Sequence, residues 1–193
     1  MKGVICIGGL MGSGKSTVAE IMEAQGFAVY SADYWAKWLM ANNTAVVAAL
    51  KELLGPSYLV NGAVDNAYVA GKIFSNQRVK EALEAVVHPA VAAHFGEWAE
   101  KQEGWVLKES ALLFNGNVAA SCDLIWWVNA SPEVRMSRVQ KRNPSMSTEE
   151  IKARMTQQND LPEPRPSNVR VLNNNSTLEA LTAQIQEAKA TLK

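Results

Sequence analysis

A glycine-rich segment near the N-terminus, GGLMGSGKST, has the residue types and spacing of a phosphate-binding loop. Four residues separate Gly9 from Gly14, Lys15 and Ser16, which fits the pattern G-x-x-x-x-G-K-[ST]. In such a loop backbone N–H groups surround phosphate oxygens, the lysine reaches the β- and γ-phosphates, and the hydroxyl suits Mg²⁺. The loop lies between a strand-like run and a helix-like run, which is the context the motif requires, so a chance glycine turn is disfavoured. We expect it to hold a nucleoside triphosphate.

Two carboxylates are candidates for proton transfer or Mg²⁺ binding beside this loop. Asp33 ends the second strand-like run, FAVYSAD, and ligands of parallel α/β sheets bind outside the carboxyl ends of strands. There it could take a proton from an acceptor hydroxyl or hold Mg²⁺ through water. The alternative is that Asp33 caps the following helix. Glu109 ends a later strand-like run, where it could touch Mg²⁺ through water or pair with a lysine.

A basic helix follows a late strand and contains Arg135, Arg138, Lys141 and Arg142. Arg138 and Arg142 are four residues apart and share a helix face. This segment is interpreted as a lid that closes on the transferring phosphoryl group, and the alternative is a solvated basic face.

Composition and charge limit the classes of function. Hydrophobic residues make up 48% of the 193 residues, and nineteen basic residues balance nineteen acidic ones. Nothing in this balance favours nucleic acid or an anionic membrane as a partner. Neither a signal peptide nor a membrane-spanning stretch is expected. Cys6 and Cys122 lie far apart in sequence, so we expect a small buried thiol at Cys6, no disulfide framework, and a cytoplasmic protein.

The order of the elements predicts an α/β fold. Two apolar strands joined by a helix at the N-terminus form a βαβ unit, which implies a parallel sheet. From Tyr34 to about Lys101 successive amphipathic helices suggest a mostly helical insertion. Capping boxes are expected where Ser147 precedes Glu150 and where Ser176 precedes Glu179. The expected division is a core of residues 1–33, 103–137 and 160–193, an insertion of residues 34–102, and a lid of residues 138–159.

Several segments together resemble the dephospho-CoA kinase family, in the family's order and over nearly the whole chain. They are GSGKSTVAE, SADYWAKWL, VVHPAV, ESALLF, VNASPEVRMSRVQKR and VLNNNS. The resemblance implies a parallel-sheet P-loop kinase core, a helical substrate-binding insertion, a lid, and Mg²⁺-dependent transfer of phosphate from ATP to the ribose 3′-hydroxyl of dephospho-CoA. ATP and dephospho-CoA are then the partners, without nucleic acid, membrane or an obligate protein partner.

The resemblance also implies roles for individual residues. Asp33 is the expected general base, Lys15 and Arg138 the other catalytic residues, and His88 a residue near the acceptor. Without the family, His88 is interpreted as a helix-end histidine before a proline, and Asn174 as part of a polar turn at a strand end. The residues implied in ATP binding are Gly12, Ser13, Gly14, Lys15, Ser16, Thr17, Arg142 and Asn174, with Ser16 on the metal.

Four positions depart from the family's usual residues. Leu10 stands where a glycine is usual, Ser31 where a second aspartate is usual, Asn66 where an arginine is common and Asn115 where a glutamate is common. Asn66 and Asn115 fall in or beside the presumed acceptor region, so they leave the acceptor open. The alternatives are another P-loop small-molecule or nucleoside monophosphate kinase, and a non-catalytic nucleotide-binding relative.

Six tryptophans are expected to be mostly half-buried packing residues. Trp35 and Trp38 follow Asp33 closely, and the alternative for one of them is a place in the lining of the acceptor pocket.

Overall fold

The computed structural model describes residues 1–74, 76–110, 113, 119–156 and 167–192. Its strands are β1 Gly3–Gly8, β2 Ala28–Ser31, β3 Leu59–Val60, β4 Ala63–Val64, β5 Trp105–Glu109, β6 Leu124–Asn129 and β7 Val169–Asn173. Its helices are α1 Lys15–Glu23, α2 Ala32–Asn42, α3 Thr44–Leu54, α4 Asn66–Phe74, α5 Gln77–Glu100, α6 Pro132–Arg142, α7 Thr148–Thr156 and α8 Leu178–Lys189. Among the described residues, no helix has both the length and the apolar character needed to span a bilayer.

The chain divides into two compact units. The first contains Met1–Tyr30 and Gln102–Lys193, and the second contains Ser31–Lys101. The main sheet has five strands in the order β2-β5-β1-β6-β7, and β1 runs parallel to both of its neighbours. This confirms the expected α/β class with a parallel sheet.

The first unit has its core on the β1 face that carries Ile5 and Ile7. These side chains are fully buried against α1 and α8, where Met22 and Ile185 are also fully buried. Because alternate strand residues point to opposite faces, Cys6 lies on the other face of the same strand. The core thereby fixes β1, whose carboxyl end leads directly into the glycine-rich loop.

The second unit is a helical bundle with a core of its own, as the amphipathic patterns predicted. Its buried residues include Leu50, Leu54 and Tyr58, and the Tyr58 hydroxyl donates a hydrogen bond to the Met40 carbonyl at 3.0 Å. The sequence interpretation missed one feature, the antiparallel hairpin of β3 and β4, whose strands have only two residues each.

The boundary between β2 and α2 corrects the prediction for Asp33. The strand ends at Ser31, whose backbone is extended and whose hydroxyl accepts a hydrogen bond from the Tyr34 N–H at 3.5 Å. Ser31 is therefore the N-cap, and α2 begins at Ala32. Asp33 neither ends the strand nor caps the helix; it is an exposed residue in the first helical turn, where the helix dipole favours a carboxylate.

Two other helix boundaries differ from expectation. The helix α5 continues through Pro89, so His88 is an exposed residue inside a 24-residue helix and not a helix-end histidine. The cap of α8 is Thr177, whose hydroxyl accepts from the Ala180 N–H at 3.3 Å, one residue after the expected Ser176. The other capping box is confirmed, since Ser147 and Glu150 exchange hydrogen bonds of 2.8 Å and 3.2 Å.

The prediction for the two cysteines was also wrong, because Cys6 and Cys122 form a disulfide. Their Cα atoms are 5.7 Å apart, although 116 residues separate them in sequence. Next to the bridge, Asp123 accepts the Val4 N–H at 2.7 Å and donates its own N–H to the Val4 carbonyl at 3.0 Å. The expectation of a free buried thiol was wrong because the segment before β6 lies beside β1 only in the folded sheet.

We expect the disulfide to stabilise the protein measurably, because a long loop closed by a disulfide restricts the unfolded chain. Dithiothreitol should lower the free energy of unfolding of the wild type by about 2–4 kcal/mol in urea titrations. The Cys6→Ala/Cys122→Ala variant is the control and should not respond to the reductant. Alkylation of both thiols in unreduced, denatured wild-type protein would contradict the bridge.

Candidate active site

The loop after β1 needs glycine where it packs against other elements, as at Gly12 and Gly14. Gly12 has φ of 81° and Gly14 has φ of 101°, both in the region that L-residues rarely adopt. A side chain at Gly12 would meet the Arg135 carbonyl at 2.6 Å, and one at Gly14 would collide with the Asn174 side-chain amide. The loop is therefore packed tightly against α6 and against the residue that follows β7.

The Ser13 carbonyl is the point where these elements hold the loop. It accepts hydrogen bonds from the Asn174 side-chain amide at 2.8 Å and from Arg138 Nη1 at 3.3 Å. Arg138 Nη2 also donates to Asn174 Oδ1 at 3.2 Å, which completes a triangle of contacts. Asn174 is only 7% exposed, and its own N–H donates to the Asn129 carbonyl at 2.7 Å. Asn174, which the resemblance assigned to ATP binding, and Arg138, which it assigned to catalysis, thus support the loop itself.

Lys15 begins α1 and its side chain turns back over the loop. Its ammonium donates to the Gly9 carbonyl at 2.9 Å, so the positive charge lies across the opening residues of the motif. This position, together with the positive N-terminal end of α1, provides a site for an anion at the loop.

Ser16 and Glu109 meet at the carboxyl edge of the sheet. The Ser16 hydroxyl donates to Glu109 Oε1 at 2.9 Å. The pairing of Ile7 with Glu109 in the parallel β1–β5 ladder explains this contact, since it sets the end of β5 beside the start of the loop. A hydroxyl and a carboxylate in contact are hard oxygen donors of the kind that Mg²⁺ prefers.

The structure places the remaining predicted residues as follows. Asp33 and His88 are exposed residues of the second unit, and Arg142 is exposed in the last turn of α6. Their approach to a nucleotide or acceptor stays a prediction. Thr17 lies half-buried in the first turn of α1. Asn115 and residues 157–166 of the expected lid and core lie outside the described residues.

Arg135 was wrongly grouped with the solvated or lid-forming arginines. It is buried, and its Nε donates to the Ala130 carbonyl at 3.1 Å. The signal was available, since Arg135 lies four residues before the apolar Val139, which is also buried. Another buried cation, Lys108, was missed because it interrupts an apolar strand; burial lowers the pKa of its ammonium.

Comparison with known proteins gives a consistent result. The family model described as "Dephospho-CoA kinase" matches residues 3–180. The chain belongs to the dephospho-CoA kinase family. It is 33% identical to the dephospho-CoA kinase of Deinococcus radiodurans, covering 93% of this chain and 87% of the relative. It is 35% identical to that of Porphyromonas gingivalis, covering 80% and 76%.

The solved structure of TT1252 from Thermus thermophilus has the same fold, with a TM-score of 0.81 and 33% identity over 98% of this chain and 97% of that one. These findings confirm the family resemblance, the P-loop kinase fold and the expectation of an ATP-dependent kinase.

The Ser13 contacts give a direct test of the loop's support. Asn174→Ala removes the buried 2.8 Å hydrogen bond, which should lower the free energy of unfolding by about 1–3 kcal/mol and weaken ATP binding about tenfold. The matched control is Asn173→Ala, at the exposed neighbouring position. Urea titration and calorimetry measure the two effects, and equal results for the two variants would contradict the role of Asn174.

Proposed function

We propose that this protein transfers the γ-phosphate of ATP to the ribose 3′-hydroxyl of dephospho-CoA, the final step of coenzyme A biosynthesis, in the cytoplasm. The observation that carries the proposal is the phosphate-binding loop, in which Lys15 donates to the Gly9 carbonyl and Ser16 donates to Glu109. The chain that contains this loop matches the family over residues 3–180. ATP and dephospho-CoA are the proposed partners, without nucleic acid, membrane or an obligate protein partner. The balance of nineteen basic and nineteen acidic residues supports the exclusion of nucleic acid and of anionic membrane surfaces.

The loop's share in the reaction is to hold and polarise the transferring group. Residues 12–17 present backbone N–H groups to the β- and γ-phosphates, and Lys15 moves its ammonium from the Gly9 carbonyl to phosphate oxygens. Arg138 and Asn174 hold the loop through the Ser13 carbonyl. Asn174 is proposed to lie near the adenine of ATP, and Arg138 is proposed to act on the transferring phosphoryl group. Arg142, one turn beyond Arg138, is proposed to contact ATP from the lid. In phosphoryl transfer most of the catalysis comes from such positioning and from charge stabilisation.

Mg²⁺ is proposed as the cofactor, with Ser16 as its ligand and Glu109 binding through water. When bound, the ion neutralises the charge that develops on the phosphates. Among the described residues, no group of three or more His, Cys, Asp or Glu side chains is arranged to hold a metal. A site of one hydroxyl and one carboxylate fits Mg²⁺ well, since this ion usually takes few protein ligands and completes its shell with phosphates and water.

Asp33 is the proposed general base, and His88 is proposed to lie near the acceptor. With Ser31 as the helix cap, the Asp33 carboxylate is not needed for capping and is exposed at the start of α2. A carboxylate in reach of the ribose hydroxyl can orient it and take its proton as the new bond to phosphorus forms.

A panel of candidate acceptors tests which molecule receives the phosphate. With MgATP, dephospho-CoA should stimulate ADP formation well beyond nucleoside monophosphates, shikimate or gluconate, and mass spectrometry should find one added phosphate on dephospho-CoA. Stimulation by another acceptor, with dephospho-CoA inert, would reject the proposal. Slow hydrolysis alone, without transfer to any acceptor, would favour a non-catalytic relative.

Asp33→Asn should lower kcat by roughly 10²- to 10⁴-fold with nearly unchanged ATP affinity, because the amide keeps the shape but cannot accept the proton. Steady-state kinetics and ATP calorimetry measure the two quantities. Glu52→Gln, at an exposed carboxylate of α3 in the same unit, is the control and should behave as the wild type. Retained turnover in Asp33→Asn would rule out the base role, and a parallel loss of ATP affinity would indicate a metal role instead.

Glu109→Gln should raise the Mg²⁺ concentration for half-maximal activity about tenfold or more, because an outer carboxylate ligand becomes neutral. The measurement is activity against free Mg²⁺ at saturating ATP. Glu103→Gln, at an exposed position before β5, is the matched control. An unchanged Mg²⁺ dependence in Glu109→Gln would show that Glu109 only accepts the hydrogen bond from Ser16.

A further inference from the structure

Four aromatic side chains of the second unit form a group that we call the α2 aromatic cluster: Tyr34, Trp35 and Trp38 of α2, with His94 of α5. The Trp35 ring centre is 4.3 Å from that of His94, with the planes 38° apart. Tyr34 and Trp38 meet Trp35 edge to face, with ring centres 5.2 Å and 5.6 Å away. Trp35 is thus held by three neighbours, and it fixes the positions of the two outer rings.

The outer rings of the cluster are unusually open to solvent. Tyr34 is 59% exposed and Trp38 is 42% exposed, whereas Trp126 and Trp127 of the first unit are buried. Tyr34 and Trp38 are four residues apart, so they share one face of α2. A rigid pair of exposed aromatic faces is typical of binding surfaces, since large rings gain free energy when they leave water.

The chemistry of α2 indicates a nucleotide as the occupant. Its only charged residues are Asp33 and Lys37, both exposed and one turn apart. Asp33 is the proposed base for a ribose hydroxyl, and the purine is attached to that same ribose. Lys37 provides a positive charge suited to the phosphates linked to it. Asp33 and Lys37 share one face of α2, and Tyr34 and Trp38 share the neighbouring face. The helix therefore presents a carboxylate, a cation and two aromatic rings on adjacent faces, over a rise of about 7.5 Å from Asp33 to Trp38.

We propose that Trp38 and Tyr34 stack on the purine ring of the acceptor nucleotide and so select acceptors that carry a base. The inference rests on the proposed function, because it takes dephospho-CoA as that acceptor. A planar purine gains more from these faces than the acyclic pantetheine arm does, because a base can stack its whole ring on an aromatic side chain. Trp35 and His94 are positioning residues that hold the outer rings in place.

Kinetics at saturating ATP provide the first test. Trp38→Ala should raise the KM for dephospho-CoA about 5- to 100-fold, with kcat within about twofold and the KM for ATP unchanged. Trp38→Phe should bring the KM for dephospho-CoA most of the way back to the wild-type value. Tyr34→Ala, at the most exposed ring of the cluster, should also raise the KM for dephospho-CoA. Phe74→Ala is the control, since Phe74 is an aromatic residue of the same unit that is 83% exposed on α4.

Binding of the two halves of the acceptor provides the second test. With the ATP site saturated by a non-hydrolysable ATP analogue, calorimetry measures binding of 5′-AMP and of 4′-phosphopantetheine separately. Trp38→Ala should weaken 5′-AMP binding by about the factor by which it raises the KM for dephospho-CoA. It should leave 4′-phosphopantetheine binding unchanged. A loss confined to 4′-phosphopantetheine would overturn the inference and assign the cluster to the pantetheine arm.

The outcomes separate this inference from the proposed function. If the wild type phosphorylates dephospho-CoA and both Trp38→Ala and Tyr34→Ala keep the wild-type KM, the stacking role is wrong and the function stands. If the wild type does not phosphorylate dephospho-CoA, the proposed function fails, and the inference fails with it. Circular dichroism of each variant confirms that a raised KM is not a consequence of misfolding.

Discussion

The anchoring of the Ser13 carbonyl is the constraint on which the candidate active site depends. Because a trans peptide is planar, its carbonyl and the next N–H point in opposite directions. Asn174 and Arg138 hold the Ser13 carbonyl toward β7 and α6 by hydrogen bonds of 2.8 Å and 3.3 Å, so the Gly14 N–H must point away from them. In this way side chains from distant parts of the sequence set the direction of a backbone donor.

The sheet also fixes this loop, through the strand β1 that precedes it. This strand pairs with β5 and β6 on its two sides and places Ile5 and Ile7 in the core. The Cys6–Cys122 bridge and the Asp123 contacts to Val4 add a second link between β1 and the segment before β6. The disulfide opposes movement of β1 along its axis, and such movement would break the Asp123–Val4 and Ser16–Glu109 hydrogen bonds. The position of the loop therefore follows from the packing of the sheet.

The features that the sequence predicted correctly are those that depend on residues close together along the chain. The phosphate loop, the α/β class and the Ser147–Glu150 capping box follow from spacing over a few positions, and the structure has all three. The failures depend on the folded state. Cys6 meets Cys122 across 116 residues and Pro89 is accommodated inside α5, neither of which appears in a local pattern. Arg135 is different, since its spacing to the buried Val139 was a local signal that it is buried as well. The prediction of Asp33 as a strand end was wrong because Ser31 caps α2, so the helix begins at Ala32.

We propose this loop as the catalytic phosphate site of a kinase, with the positive charge supplied by Lys15. The most direct measurement is the steady-state rate of phosphate transfer from ATP to dephospho-CoA by Lys15→Ala, with folding checked by circular dichroism. Loss of the charge aimed at the β- and γ-phosphates should lower kcat about 10²-fold or more. Near-normal turnover in folded Lys15→Ala protein would show that phosphate transfer takes place without this loop.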